Sequence, residues 1–154
     1  MSEDFFKVPK LERAVRLWIH PEGRVLGSIF IREQSLHHMG EETPVELLNQ
    51  PEAFLVIHRE DLDEYRFYNK SSIVRLEYEN TADENPDQES INSELHMMDG
   101  SMMTGKICGS FPPDRRRLYD HLNKEHDQFL PLHLDDGQIC IINKNYIIYA
   151  KGLK

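Results

Sequence analysis

Apolar and polar residues alternate with a period of two along Ala14 to His20 and again along Val25 to Arg32, with Pro21-Glu22-Gly23 between them. A half-buried strand turns every second side chain inward, so the pattern predicts a hairpin. It recurs from Ser93 to Met98 and from Met102 to Cys108, now around Asp99-Gly100, a dipeptide suited to the positive φ of a tight turn. Further strands are predicted at Ala53 to His58, Tyr65 to Tyr68 and Ser72 to Tyr78, and in the second half at Gln128 to Leu134, Gln138 to Ile142 and Tyr146 to Ala150. Between the second and third strand of each half a short helix is expected. Thr43-Pro44-Val45-Glu46 has the form of a capping box with Pro at the first helical position, Leu47 and Leu48 face the core, and Asn49 stops the helix in a left-handed conformation. In the second half Asp114 is the expected cap, Arg115 to Leu122 the helix and Asn123 the stop.

The two halves are copies. Leu48-Asn49, Phe54-Leu55, His58, Asn69-Lys70 and Ile73 return as Leu122-Asn123, Phe129-Leu130, His133, Asn143-Lys144 and Ile147. Leu17, Gly27 and Ile29 likewise return as Leu95, Gly105 and Ile107, with the same ten-residue step from Leu to Gly. The repeated Leu, Phe and Ile are read as core, the Asn-Lys pairs as turns, and the repeated His as solvent-facing strand residues. The main length difference is four extra residues between Gly27 and Asn49, which places a longer loop at Gln34 to Glu42.

Five strands with one short helix, used twice, predict a mainly β protein of two tandem five-stranded antiparallel small barrels, each with its helix between strands 2 and 3. The opening of each half, a strand, a turn with Gly and then G-x-I, resembles an Sm-like or SH3-like barrel. The longer order, L-N, then F-L, then N-K-x-x-I, is similar to a group of bacterial small-barrel proteins. The resemblance implies a fold and no activity.

Charge divides the chain. Residues 1–78 hold fourteen acids against ten bases, residues 79–92 five acids against none, and residues 93–154 eight against eight. Residues 79–92 are therefore expected to be an acidic linker between a first module, 1–78, and a second, 93–154. No apolar run approaches the roughly 20 residues that span a bilayer, so no membrane association is expected. The opening MSEDFFKVPKLER lacks the basic-then-apolar order of a secretory signal, and a cytoplasmic location is the expectation. Cys108 and Cys140 fall on predicted strands outside any C-x-x-C pair and read as reduced, buried thiols.

Catalytic patterns are missing from the sequence. It has no G-x-S-x-G, no glycine-rich phosphate loop with Lys, and no His-Glu-x-x-His or Cys/His quartet. Neither enzyme activity nor a cofactor or metal is expected. Four thioethers and His96 around the Asp99-Gly100 turn could hold a soft cation, but Met97, Met98, Met102 and Met103 read first as adaptable apolar surface, packed or presented to a partner. Partner contact is also assigned to Arg115, Arg116 and Arg117, the one basic run, and to His37 and His38 on the longer loop of the first copy. The reading is a non-catalytic scaffold that binds another protein, or itself, through strand edges and loops. The alternative is an Sm-like RNA binder using Arg115 to Arg117, against which stands the net charge of −9.

Overall fold

The computed structural model describes residues 9–80, 89–109, 117–124 and 126–153, with Glu89, Gly109 and Arg117 described by backbone alone. These residues are mainly β, and the chain divides into two compact units, Met1–Ile73 and Val74–Lys154.

In the first unit, β1 (Lys10–Ile19) and β2 (Gly23–Arg32) form the expected hairpin, paired from Lys10↔Arg32 to Ile19↔Gly23. Helix α1 (Pro44–Leu48) follows, then β3 (Phe54–Arg59) and β4 (Glu64–Asn69), giving the antiparallel order β1-β2-β3-β4. Period two is kept: Val15, Leu17 and Ile19 on β1 and Ile29 and Ile31 on β2 are buried, and Leu55 and Ile57 join them from β3. Fully burying such a side chain contributes roughly 1.5–3 kcal/mol, which fixes the register because a slip by one residue would turn the set to water. The capping box of α1 forms as expected: the Thr43 hydroxyl accepts from the Glu46 N–H at 3.4 Å and the Glu46 carboxylate accepts from the Thr43 N–H at 3.3 Å. Asn49 departs from expectation. Its φ of −89° and ψ of 3° are not left-handed, and its N–H instead donates to Val45 O at 3.0 Å, closing the last helical turn.

The second unit contains β5 (Ile73–Glu79), which crosses the unit boundary, β6 (Glu89–Met97), β7 (Met102–Gly109), α2 (Arg117–Leu122), β8 (Phe129–His133), β9 (Gln138–Asn143) and β10 (Ile147–Gly152). Its antiparallel order is β10-β6-β7-β8-β9-β5. The last strand of the first repeat thus pairs with the fourth of the second, Arg75↔Ile142 through Glu79↔Gln138. Strand β9 buries every residue from Ile139 to Asn143, so both of its faces are covered, and Ile139 to Ile142 form a continuous apolar run in place of alternation. Strand β6 starts at Glu89, earlier than the expected Ser93, and Glu79 ends β5. Residues 81–88 of the predicted linker lie outside the described residues, as does the expected cap Asp114. Gly100 and Gly137 take φ of 89° and 82° in the two Asp-Gly turns, the region the sequence assigned to Gly100.

The duplicated polar residues have a shared structural task. Asn69 Oδ1 accepts from the Ser71 N–H and Asn143 Oδ1 from the Asn145 N–H, each at 3.0 Å, opening a one-turn 3₁₀ helix. The lysine after each Asn reaches back to the end of the helix in its own repeat. Lys70 Nζ donates to Leu47 O at 3.4 Å and Gln50 O at 2.9 Å, and Lys144 Nζ to Leu122 O at 3.2 Å and Lys124 O at 3.1 Å. An ammonium there adds a charged donor to carbonyls at and just beyond the helix end and complements its negative pole. The repeated Gly has its own reason. A Cβ on Gly27 would lie 2.7 Å from His58 O, and one on Gly105 2.6 Å from His133 O. Gly-to-His across the second and third strands is therefore one backbone crossing, built twice.

Candidate functional site

The repeats diverge most clearly on the β3–β4 face of the first unit. Phe54 pairs with Asn69, Val56 with Phe67 and His58 with Tyr65, so these side chains share one face. The corresponding positions of the second unit are Phe129 opposite Asn143, Pro131 opposite Ile141 and His133 opposite Ile139. Phe129, Ile139 and Ile141 are 2%, 1% and 0% exposed, whereas Phe54, Tyr65 and Phe67 are 56%, 54% and 53% exposed. The expectation that the repeated Phe is core therefore fails for Phe54. Phe30 extends the patch, its ring 5.9 Å from that of Tyr65. Among the described residues β4 pairs with β3 alone, leaving its other edge without a ladder.

His58 sits within this face. Its Nδ1 is 3.2 Å from Glu12 Oε1 on β1, its Nε2 3.1 Å from Asp63 Oδ1 in the β3–β4 turn, and its ring is 4.9 Å from Tyr65. The hydrogen bond to Asp63 raises its pKa above the ordinary 6.5, desolvation opposes this, and Glu12 adds to the rise. In the second copy burial instead pushes His133 down. The two histidines thus share a backbone role, and their surroundings shift them in opposite directions. A group whose folded pKa is raised stabilises the fold fully below its unfolded value and loses that contribution as pH rises through the folded value. The difference in unfolding midpoint between the native chain and His58→Gln is accordingly expected to be larger at pH 5.5 than at pH 8.5. An unchanged difference in paired thermal melts would show that His58 is not held by its two carboxylates.

Beside it, buried Arg59 donates to Asp61 at 3.0 and 2.7 Å, to Glu22 at 2.5 Å and to the Tyr68 hydroxyl at 2.9 Å. This ties the β1–β2 turn to the β3–β4 turn on the opposite face of the β3–β4 pair. Sequence reasoning did not assign Arg59; the acids from Glu60 to Glu64 around it were the available signal.

The four methionines do not form one surface. Met97 is buried, Met103 opposite Leu95 is half-buried, and Met98 and Met102 are exposed. The nearby His96 stacks on Tyr149 of β10 at 4.1 Å and bonds Glu94 at 2.7 Å. On the longer loop His37 and His38 are exposed, and His38 is held by its Nδ1 contact to Met39 O at 2.9 Å and by Nε2 on Glu46. Glu46 also accepts from the Ser35 hydroxyl at 2.7 Å, so a carboxylate stands between serine and imidazole. Burial pushes that carboxyl up, and the bonds from Ser35 and His38 outweigh it and leave it below the usual range. The cluster anchors the loop, and Leu36 and Met39 project from it exposed. Arg115 and Arg116 lie outside the described residues, and Arg117 opens α2.

Cys108 and Cys140 lie on strands and neither is in a disulfide, Cys140 being buried and Cys108 half-buried. Among the described residues no cluster of three or more His, Cys, Asp or Glu could hold a metal ion, and no helix is long and apolar enough to cross a membrane. No family model, curated protein or solved structure matches the chain.

Proposed function

We propose that the chain is a non-catalytic protein-binding or assembly platform whose repeats are two small barrels, with the β3–β4 face and the β4 edge as its contact surface. One observation carries the reading: Phe54, Tyr65 and Phe67 are exposed where their counterparts Phe129, Ile139 and Ile141 are buried. Soluble chains seldom leave a contiguous aromatic patch on an edge strand, because its open edge templates pairing with another chain. Two cysteines outside any disulfide suit a reducing compartment, and we place the protein in the cytoplasm.

Affinity capture from native extract, with and without nuclease, tests the reading. A protein partner is expected to be retained through nuclease treatment and to lose roughly tenfold or more in affinity with Phe67→Lys, as for a residue at the centre of an interface. Capture that vanishes with nuclease would transfer the function to nucleic acid. Met98→Ser with Met102→Ser leaves the buried Met97 intact, and unchanged binding in that pair removes the hairpin from the contact surface.

A further inference from the structure

The contact surface just proposed has a template inside the molecule. In the second unit β9 is covered along one edge by β5. The repeat makes β4 the counterpart of β9 and β10 the counterpart of β5: Glu64–Asn69 against Gln138–Asn143, and Ile147–Gly152 against Ile73–Glu79. Yet among the described residues β4 pairs only with β3 and β10 only with β6. One pair of equivalent strands has met within the chain, and the other pair remains as two unladdered edges.

The side chains follow the same division. Val74 of β5 is 5% exposed, and its counterpart Ile148 on β10 is 62% exposed. Tyr65 and Phe67 on β4 are exposed where Ile139 and Ile141 on β9 are buried. Each outer edge therefore shows the apolar residues that its equivalent conceals.

Resting on the assembly reading above, we propose that the partner is a second copy of this chain, with β10 of one copy pairing antiparallel with β4 of the next. The register follows by transfer. Arg75↔Ile142, Leu76↔Ile141 and Glu77↔Cys140 become Tyr149↔Tyr68, Ala150↔Phe67 and Lys151↔Arg66. Lys151 and Arg66 face one another as like charges, and each already has its counter-ion on its own chain: Lys151 lies 3.2 Å from Glu94, and Arg66 2.6 Å from Glu64. Glu64 is also the diagonal neighbour of Lys151 in this register, within reach of a long side chain. Every copy offers one edge of each kind, so association ends when the edges close on one another, in a reciprocal two-fold pair or a larger ring, and otherwise extends as a filament.

Sedimentation of the full chain across concentrations is expected to give integer multiples of the monomer mass. Phe67→Lys, which adds a charge at an exposed position of the edge, is expected to yield monomers that still unfold cooperatively. In a Cys108→Ser background, Phe67→Cys mixed with Ala150→Cys is expected to form a disulfide-linked dimer that neither variant forms alone. A linked dimer from Phe67→Cys by itself, or a monomer at every concentration, would overturn the inference. A monomeric chain that still captures a foreign protein through Phe67 would overturn the second copy while keeping the assembly reading, and loss of both would remove both.

Discussion

Gly27→Ala and Gly105→Ala are each expected to destabilise the protein by about 3 kcal/mol, at the upper end of the usual penalty for forcing volume into a packed site. A Cβ at Gly27 would meet His58 O at 2.7 Å and Ile57 Cγ2 at 2.8 Å; at Gly105 it would meet His133 O at 2.6 Å and Leu132 Cγ at 2.8 Å. A flexible side-chain tip could step aside. The carbonyl oxygens cannot, because they belong to β3 and β8 and moving them shifts the strand crossing, Gly27↔Arg59 in the first unit and Lys106↔His133 in the second. For a chain of this length the loss corresponds to a fall of about 6–12 °C in unfolding midpoint. Thr104→Ala, at an exposed neighbour on the same strand, is the control and is expected to stay within about 0.5 kcal/mol of the native chain. Urea titration of the three variants gives the comparison. Glycine variants as stable as the control would show that the crossing can open without cost.

That crossing also marks how far the sequence could be read. The strands were legible because alternation is a local property: each hairpin and each later strand lies within a few residues of its predicted bounds, and the Thr43 box is visible in four consecutive residues. The repeated Gly and His were visible as repeats, but their reason lies in two strands about thirty residues apart. Partner choice was less legible still. β5 and β9 are apolar at most positions, so nothing in either segment selects the other. Phe54-Leu55 and Phe129-Leu130 are identical dipeptides with opposite fates, because burial depends on what the rest of the fold brings over them. The carboxylate pair on His58 joins residues 46 positions apart, and no pattern along the chain connects Glu12 to it. What was legible is therefore the element inventory, and what was not is the set of contacts that makes one repeat's surface the other repeat's core.

Lys70→Met is expected to cost about 2 kcal/mol and Lys144→Met about 1 kcal/mol, since hydrogen bonds from charged donors contribute roughly 1.5–3 kcal/mol and the benefit falls where water competes. Lys70 is buried, with its ammonium on Leu47 O and Gln50 O; Lys144 is half-buried, on Leu122 O and Lys124 O. Methionine keeps the length and the apolar stem while removing the donor, so packing is preserved and the helix-end carbonyls lose the ammonium. Burial pushes both ammonium groups below their ordinary pKa, Lys70 against a weak opposing pull from Glu52, so part of the gain from each hydrogen bond is offset by desolvation. This offset is why the expected loss stays near 2 kcal/mol for the first copy instead of reaching the top of the range. The order of the two effects is the decisive quantity: equal losses in chemical denaturation would mean that the lysines act through the turn, which Asn69 and Asn143 close identically, and a larger loss at Lys70 means that they act as stoppers on the two helices.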